Sequence, residues 1–301
     1  MPYTGGDVYL AQDFQHMADQ YNLRLLCEHL FDYSKRLTFI AFCLRILVFL
    51  VGAIFVLFSL SFPALPFYIA LLSLISELLQ WRSEILKGTS EGVLRSLEFR
   101  DSLGWAISSS TVSDILTTVP ARIKAAIKNK QTQKKYFSST QQNQFLMALE
   151  NLQESAWHSK HLANRMGQIY LIISTVIVFL SIVALLWSIE TIRSFLVPQN
   201  ISRVVTATIM LIFSLRFVRL TVDYYNFSRR SQQIESRAEQ LVETPKLSEM
   251  HVVRLFHEYQ LLRATSPLIP TWIWRSMNSE LNMLWKNYRV SSQSEQKPME
   301  Y

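Results

Sequence analysis

The chain has 301 residues, half of them hydrophobic and 18% charged, a balance that excludes disorder but allows either a soluble core or a membrane protein. Its formal charge of +7 is accounted for by basic flanks beside apolar stretches, which removes the need for a nucleic-acid partner. The two cysteines, Cys27 and Cys43, are too few for a disulfide framework.

The first 36 residues are polar, without an apolar core after a basic start, so no secretory signal is expected and the first span must anchor itself. After Gly5-Gly6, Asp7 is a candidate N-cap, and no Gly or Pro interrupts the chain from there to Val51. Phe14, Met17, Tyr21 and Leu25 recur at helical spacing, and Leu26, Leu30, Tyr33 and Leu37 continue the stripe. Residues 1–36 therefore read as an amphipathic helix on the cytoplasmic side, running into the membrane.

No charged residue occurs from Ile46 to Ser76, whereas a soluble helix needs a polar face. A helix rising about 1.5 Å per residue needs roughly 20 apolar residues to cross a hydrocarbon core of about 30 Å. Leu37 to Trp81 is long enough for two crossings, and Phe62-Pro63-Ala64-Leu65-Pro66 supplies the turn between them. The expected spans are Leu37 to Leu60 and Leu65 to Trp81, a hairpin over residues 37–81. Arg45, nine residues past Arg36 and so about 13 Å deeper, and Glu77, five residues before Arg82, form a candidate intramembrane polar pair that antiparallel packing would bring together.

Residues 82–167 read as a cytoplasmic helical segment. Between Thr111 and Lys135, Ile115, Val119, Ile123 and Ile127 fall four apart beneath Arg122, Lys124, Lys128, Lys130, Lys134 and Lys135. That pattern suits a basic amphipathic helix on anionic lipid or ligand, or equally a solvated linker or a helix packed on its neighbours. A further helix is expected to start near Ser139-Thr140, with Phe145, Leu149, Leu152, Ala156, Ala163 and Met166 on one face. His158 and His161, three apart, lack a third ligand and are weak metal candidates.

Gln168 to Ile189 is the third expected span, and its Ser and Thr hydroxyls can bond back to helix carbonyls. The fourth has only 12 uncharged residues, Val204 to Leu215, and needs Arg203, Arg216 and Arg219 to snorkel; together they make a second hairpin over 168–220. Residues 221–301 read as a cytoplasmic helical tail, with Val222, Tyr225, Ile234, Ala238 and Leu241 along one stripe. Beyond Pro267 and Pro270, Ile273, Met277, Leu281, Leu284 and Tyr288 mark a face. The three tryptophans there, Trp272, Trp274 and Trp285, suit a cytoplasmic core or a headgroup anchor; Trp272 and Trp274, like Trp81 and Trp187 at span edges, are candidate interface anchors.

Of 30 Lys and Arg, 27 fall outside the spans and hairpin tips, which carry only Arg45, Arg193 and Arg203. The positive-inside rule then puts both termini and the middle segment in the cytoplasm. The fold class expected is an all-α integral membrane protein with four spans as two hairpins, extended by cytoplasmic helices. No phosphate loop, nucleophile elbow or His-Glu-x-x-His occurs, so neither an enzyme nor a cofactor site is expected.

Three stretches carry a family resemblance: Tyr136-Phe137-Ser138-Ser139, then Leu149-Glu150-Asn151-Leu152-Gln153-Glu154-Ser155-Ala156 leading into the third span, and Ser266-Pro267-Leu268-Ile269-Pro270-Thr271-Trp272-Ile273. In these and in the spacing of its spans the chain resembles the bacterial SMODS-associated four-transmembrane effector family. The resemblance implies an inner-membrane effector of anti-phage signalling, with a cyclic nucleotide or a sensor protein as partner. Four spans are too few for a wide pore in one copy, so a homo-oligomer in the lipid bilayer is expected. The competing expectation is a non-conducting scaffold or transport-complex subunit.

Overall fold

The computed structural model describes residues 22–57, 62–127, 139, 141–190, 217–244 and 247–295. Among them the secondary structure is all helical: α1 (Leu23–Leu57), α2 (Leu65–Leu103), α3 (Ser109–Thr118), α4 (Ala121–Ile127), α5 (Gln144–Glu190), α6 (Phe217–Val242), α7 (Glu249–Thr265) and α8 (Thr271–Glu295). Two compact units are present. One is built from the described parts of Met1–Leu37, Trp81–Gln153 and Ile234–Thr265, the other from those of Thr38–Gln80, Glu154–Gln233 and Ser266–Tyr301.

Helix ends follow local chemistry. Asn22 caps α1, its Oδ1 accepting from the Leu25 N–H at 3.0 Å. The expected cap at Asp7 and the stripe residues Phe14, Met17 and Tyr21 lie outside the described residues. α2 begins at Leu65 as the Pro63/Pro66 turn implied, because a proline in the first helical turn lacks only an N–H that would have no partner anyway. It ends at Gly104, whose φ of +70° suits glycine and whose N–H returns to the Arg100 carbonyl at 3.0 Å.

One continuous basic helix over 111–135 does not form. Val119 is extended and Pro120 follows it, since a residue before proline is pushed out of the helical region, so the segment divides into α3 and α4. Val119 and Ile127 are buried, while Ile115 and Ile123 are half-buried. The helix expected from Ser139 starts five residues later, capped by Asn143, whose Oδ1 accepts from Phe145 N–H at 2.9 Å; Ser139 instead donates to Glu150. Once begun, α5 buries Leu149, Leu152, Ala156, Ala163 and Met166 as its sequence implied.

α1 and α2 pack through small side chains spaced seven apart. In the first unit, Cys27 faces Ser90, with Ser90 Oγ donating to the Cys27 carbonyl at 3.0 Å. Ser34 faces Ser83, each hydroxyl donating to the other's carbonyl at 2.8 Å. In the second unit Ser76 Oγ donates to the Ala41 carbonyl at 3.0 Å. A side chain as short as serine reaches an opposite main chain only when the helices come close, and a seven-residue repeat keeps such positions on one seam. Of the apolar stripe expected along α1, Leu26, Leu30 and Leu37 are buried, but Tyr33 is exposed and Ser34 is buried beside it.

The α6 stripe holds at Ile234 and Ala238 but is displaced at its start. Phe217, Thr221, Tyr224, Phe227, Ser231, Ile234 and Ala238 are buried, while Val222 is exposed. In the second unit the Tyr224 ring stacks on Tyr170 at 5.6 Å and Phe217 tilts against Phe42 and Tyr170. Tyr225 lies over Gly167, where any Cβ would stand 3.3 Å from the ring. α8 closes the unit by placing Leu281 and Trp285 against Trp157 and Leu162, with Ile269, Met277 and Tyr288 around them; Leu284 is exposed.

Two of these helices, over Leu23–Phe55 and Gln144–Phe179, are long and apolar enough to cross a membrane, and only 11% and 28% of their most apolar stretches are buried. Their large apolar side chains face outward, among them Phe39, Leu50, Ile54, Ile172, Phe179 and Leu186. The span expected at Leu65 to Trp81 carries Glu77 and Gln80 and falls short of that measure, and the fourth, Val204 to Leu215, lies outside the described residues.

Replacing Ser83 by Leu forces a large side chain into the seam and removes a reciprocal hydrogen-bonded pair. Thermal unfolding of the detergent-solubilised protein should show a loss of about 1–3 kcal/mol or more, whereas Ser83→Ala, which keeps the close approach, costs about 1 kcal/mol.

Candidate functional site

The Arg45 and Glu77 side chains meet. Antiparallel pairing with Ala41 opposite Ser76 sets a register in which Arg45 Nη2 donates to Glu77 Oε1 at 2.7 Å. The guanidinium is shielded, with 16% of its side chain exposed, but Glu77 is 63% exposed. Leu47, Leu74 and Leu78, from the same stretches of the two helices, are also exposed. A charged group thus opens onto an otherwise apolar outer surface.

A second ionic centre, in the first unit, was not anticipated from the sequence. Arg263 of α7 donates from Nε to Glu91 Oε2 at 2.8 Å, from Nη1 to Glu98 Oε1 at 2.6 Å and from Nη2 to Glu98 Oε2 at 3.0 Å. Gln260 Nε2 also reaches Glu98, at 3.2 Å, and both carboxylates are buried. Burial works against the guanidinium's charge, but Glu98 and Glu91 outweigh it and hold the group well above its ordinary pKa. Lys87 Nζ donates to the Ala264 carbonyl at 2.7 Å; burial pulls this ammonium below its usual range while Glu91 and Glu84 oppose the shift. The signal in the sequence was Glu91 and Glu98, seven apart and each one residue from the buried Ser90 and Leu97. Acids on the rim of a buried stripe imply a cation opposite.

Cys27 lies beside this centre. Burial, reinforced by the Glu91 charge, pushes its thiol up to about 12. At Asp101 the first unit holds a further cluster, with Arg24 and Arg100 both paired to its carboxylate.

The other sequence candidates disperse. Arg122 is exposed on α4 and Lys124 half-buried, while Lys128, Lys130, Lys134 and Lys135 lie outside the described residues. Trp81 is exposed, and the Trp187 side chain is outside those described. The tryptophans at the end of the chain divide: Trp285 is core, 3% exposed, whereas Trp272 and Trp274 stand out at 57% and 46%. A core position is therefore the right reading for Trp285 and not for the other two. The His161 ring packs edge-on against Trp157 at 4.6 Å, and His158 bonds the Glu154 carbonyl and Asn282. Among the described residues no group of three or more His, Cys, Asp or Glu is placed to hold a metal. Compared with protein-family models, with characterised proteins and with solved structures, the chain matches none.

Two outcomes check the buried centre. Arg263→Leu strands two carboxylates and should cost about 3–5 kcal/mol in thermal or denaturant unfolding, with Arg263→Lys intermediate; an unchanged midpoint would show the cluster to be energetically idle. Cys27, overwhelmingly protonated at pH 8, should resist maleimide in a Cys43→Ser background until the protein is unfolded, when its pKa falls to about 8.5 and it reacts promptly.

Proposed function

We propose that the chain is a four-span protein of the bacterial inner membrane, with both termini and the segment between the hairpins in the cytoplasm, and that it acts as an oligomeric, non-enzymatic effector that opens or disorders the bilayer on a cytoplasmic signal. Membrane residence is supported by two helices of spanning length whose apolar residues face outward, and orientation by the placement of 27 of 30 basic residues. The anti-phage context rests on the resemblance to the four-transmembrane effectors.

The observation that carries the oligomeric reading is the exposed Glu77 carboxylate. An ionised side chain facing hydrocarbon costs up to about 2.5–3.5 kcal/mol at mid-bilayer on the mildest scales and less near the edge where Glu77 lies, and Arg45 covers only one of its oxygens. A second copy, or water held between copies, removes that cost. A ring of such pairs would line a polar path through an assembly.

The 2.7 Å contact also favours a second reading, in which the pair locks the hairpin of a non-conducting scaffold. Liposomes separate the two. Purified protein reconstituted with its activating signal should release an entrapped dye, and Glu77→Leu should change the leak by an order of magnitude or more. Vesicles that stay tight under every signal tried would leave the scaffold.

A further inference from the structure

The entry to α8 carries two exposed indoles whose position in the second unit fixes their depth. Tyr224 Oη donates to the Leu268 carbonyl at 2.6 Å, and Ile269 packs on the cluster containing Leu162. Tyr224 is four residues past Leu220, the inner bound of the second proposed hairpin once Arg216 and Arg219 snorkel, and Leu162 six before Gln168, where that hairpin begins. Helical rise puts the two anchor points about 6 and 9 Å beyond the hydrocarbon edge, on the cytoplasmic side. Headgroups occupy roughly 5–8 Å beyond that edge on each side. Residues 268–275 are thereby tied near headgroup depth, and Leu281 and Trp285, later in α8, join the same cluster.

At that depth Trp272 and Trp274 are exposed, as is Arg275, in a helix whose other large apolar residues at this end, Ile273 and Met277, are already packed. Exposed Arg165 lies three residues outside Gln168, exposed Arg219 at the inner end of the second proposed hairpin snorkels toward the same interface, and the acid there, Asp223, already faces Arg219 at 3.6 Å. Indoles with arginines and little net acid suit an interface that is apolar on one side and anionic on the other.

We propose that Trp272, Trp274 and Arg275 form a headgroup anchor that seats the start of α8 in the anionic cytoplasmic leaflet, making this helix a membrane-surface element of the second unit. This rests on the four-span reading, and the test distinguishes its failure from failure of that reading. The full chain, in a Cys43→Ser background, is reconstituted into vesicles of mixed zwitterionic and anionic phospholipid. A nitroxide is attached at Ser276→Cys, beside the anchor, or at Leu71→Cys, within the second span.

The Leu71 label should collide with oxygen and not with a water-soluble nickel chelate; if the chelate reaches it freely, the membrane reading itself falls. With that control in place, the Ser276 label should be severalfold less accessible to the chelate than a label at Lys286→Cys, and should lose that protection in a Trp272→Ser/Trp274→Ser background. Full chelate access at Ser276 overturns the anchor. So does shielding from both oxygen and chelate, which would mean that protein, a second copy or another chain, covers the surface. Protection that persists without the indoles overturns their role.

Discussion

The close approach of α1 and α2 is the constraint on which most of the described structure depends. Ser34 and Ser83 exchange hydroxyl-to-carbonyl hydrogen bonds, and Ser90 and Ser76 each reach the opposite main chain in the same way. None of these contacts survives if the helices separate by the width of one methylene group. They need no hydrophobic driving force between the helices, which matters where the surrounding solvent is itself apolar. Two consequences follow from the register they impose. In one unit it brings Arg45 to Glu77; in the other it sets Cys27 against Ser90, beside the acids of α2.

The two ionic centres obey opposite logic. Around Arg263 the charge is removed from water, and the cost of burying it is offset because a planar fork meets three carboxylate oxygens while Gln260 adds a fourth bond to Glu98. Such a cluster is a weak source of net stability compared with apolar packing, yet it is intolerant of losing one member. It therefore specifies how α7 docks on α2 more than how strongly. Arg237 and Glu258, joined through Nη1 alone and half exposed, contribute at most about 1 kcal/mol by comparison. Arg45 and Glu77 form one contact, and the carboxylate remains largely outside.

Much of the helical framework was legible because its signals are local. The Pro63/Pro66 turn gave the start of α2 to the residue, and the apolar face of α5 from Leu149 to Met166 is the one the spacing marks. The Arg45–Glu77 contact was legible too, since two charges in apolar stretches joined by a short turn have few other partners. What escaped depends on competition or on distant chain. Pro120 breaks the basic helix although the four-residue spacing of Ile115, Val119, Ile123 and Ile127 runs through it, because the backbone preference of a residue before proline outranks periodicity. The α6 stripe was placed rightly at Ile234 and Ala238 but missed at its start, because Val222 looks like core while Thr221, whose hydroxyl is satisfied by the Phe217 carbonyl at 2.9 Å, looks like surface. Arg263 is more than 160 residues from its carboxylates, and nothing local to α7 announces them.

The same physics explains why apolar surface and charge coexist in the second unit. Outward-facing Phe39, Leu50, Ile172 and Phe179 are tolerable if lipid is their solvent and untenable over this area in water, where patches beyond a few hundred Å² drive association. If lipid is the solvent, however, Glu77 becomes the anomaly, since no nearby cation other than Arg45 is within bonding reach of it among the described residues. Snorkelling cannot help a carboxylate on so short a stem as far as it helps the arginine. The oligomeric assembly proposed above would satisfy both groups, because a symmetric arrangement covers them with polar surface or water from residues every copy already has.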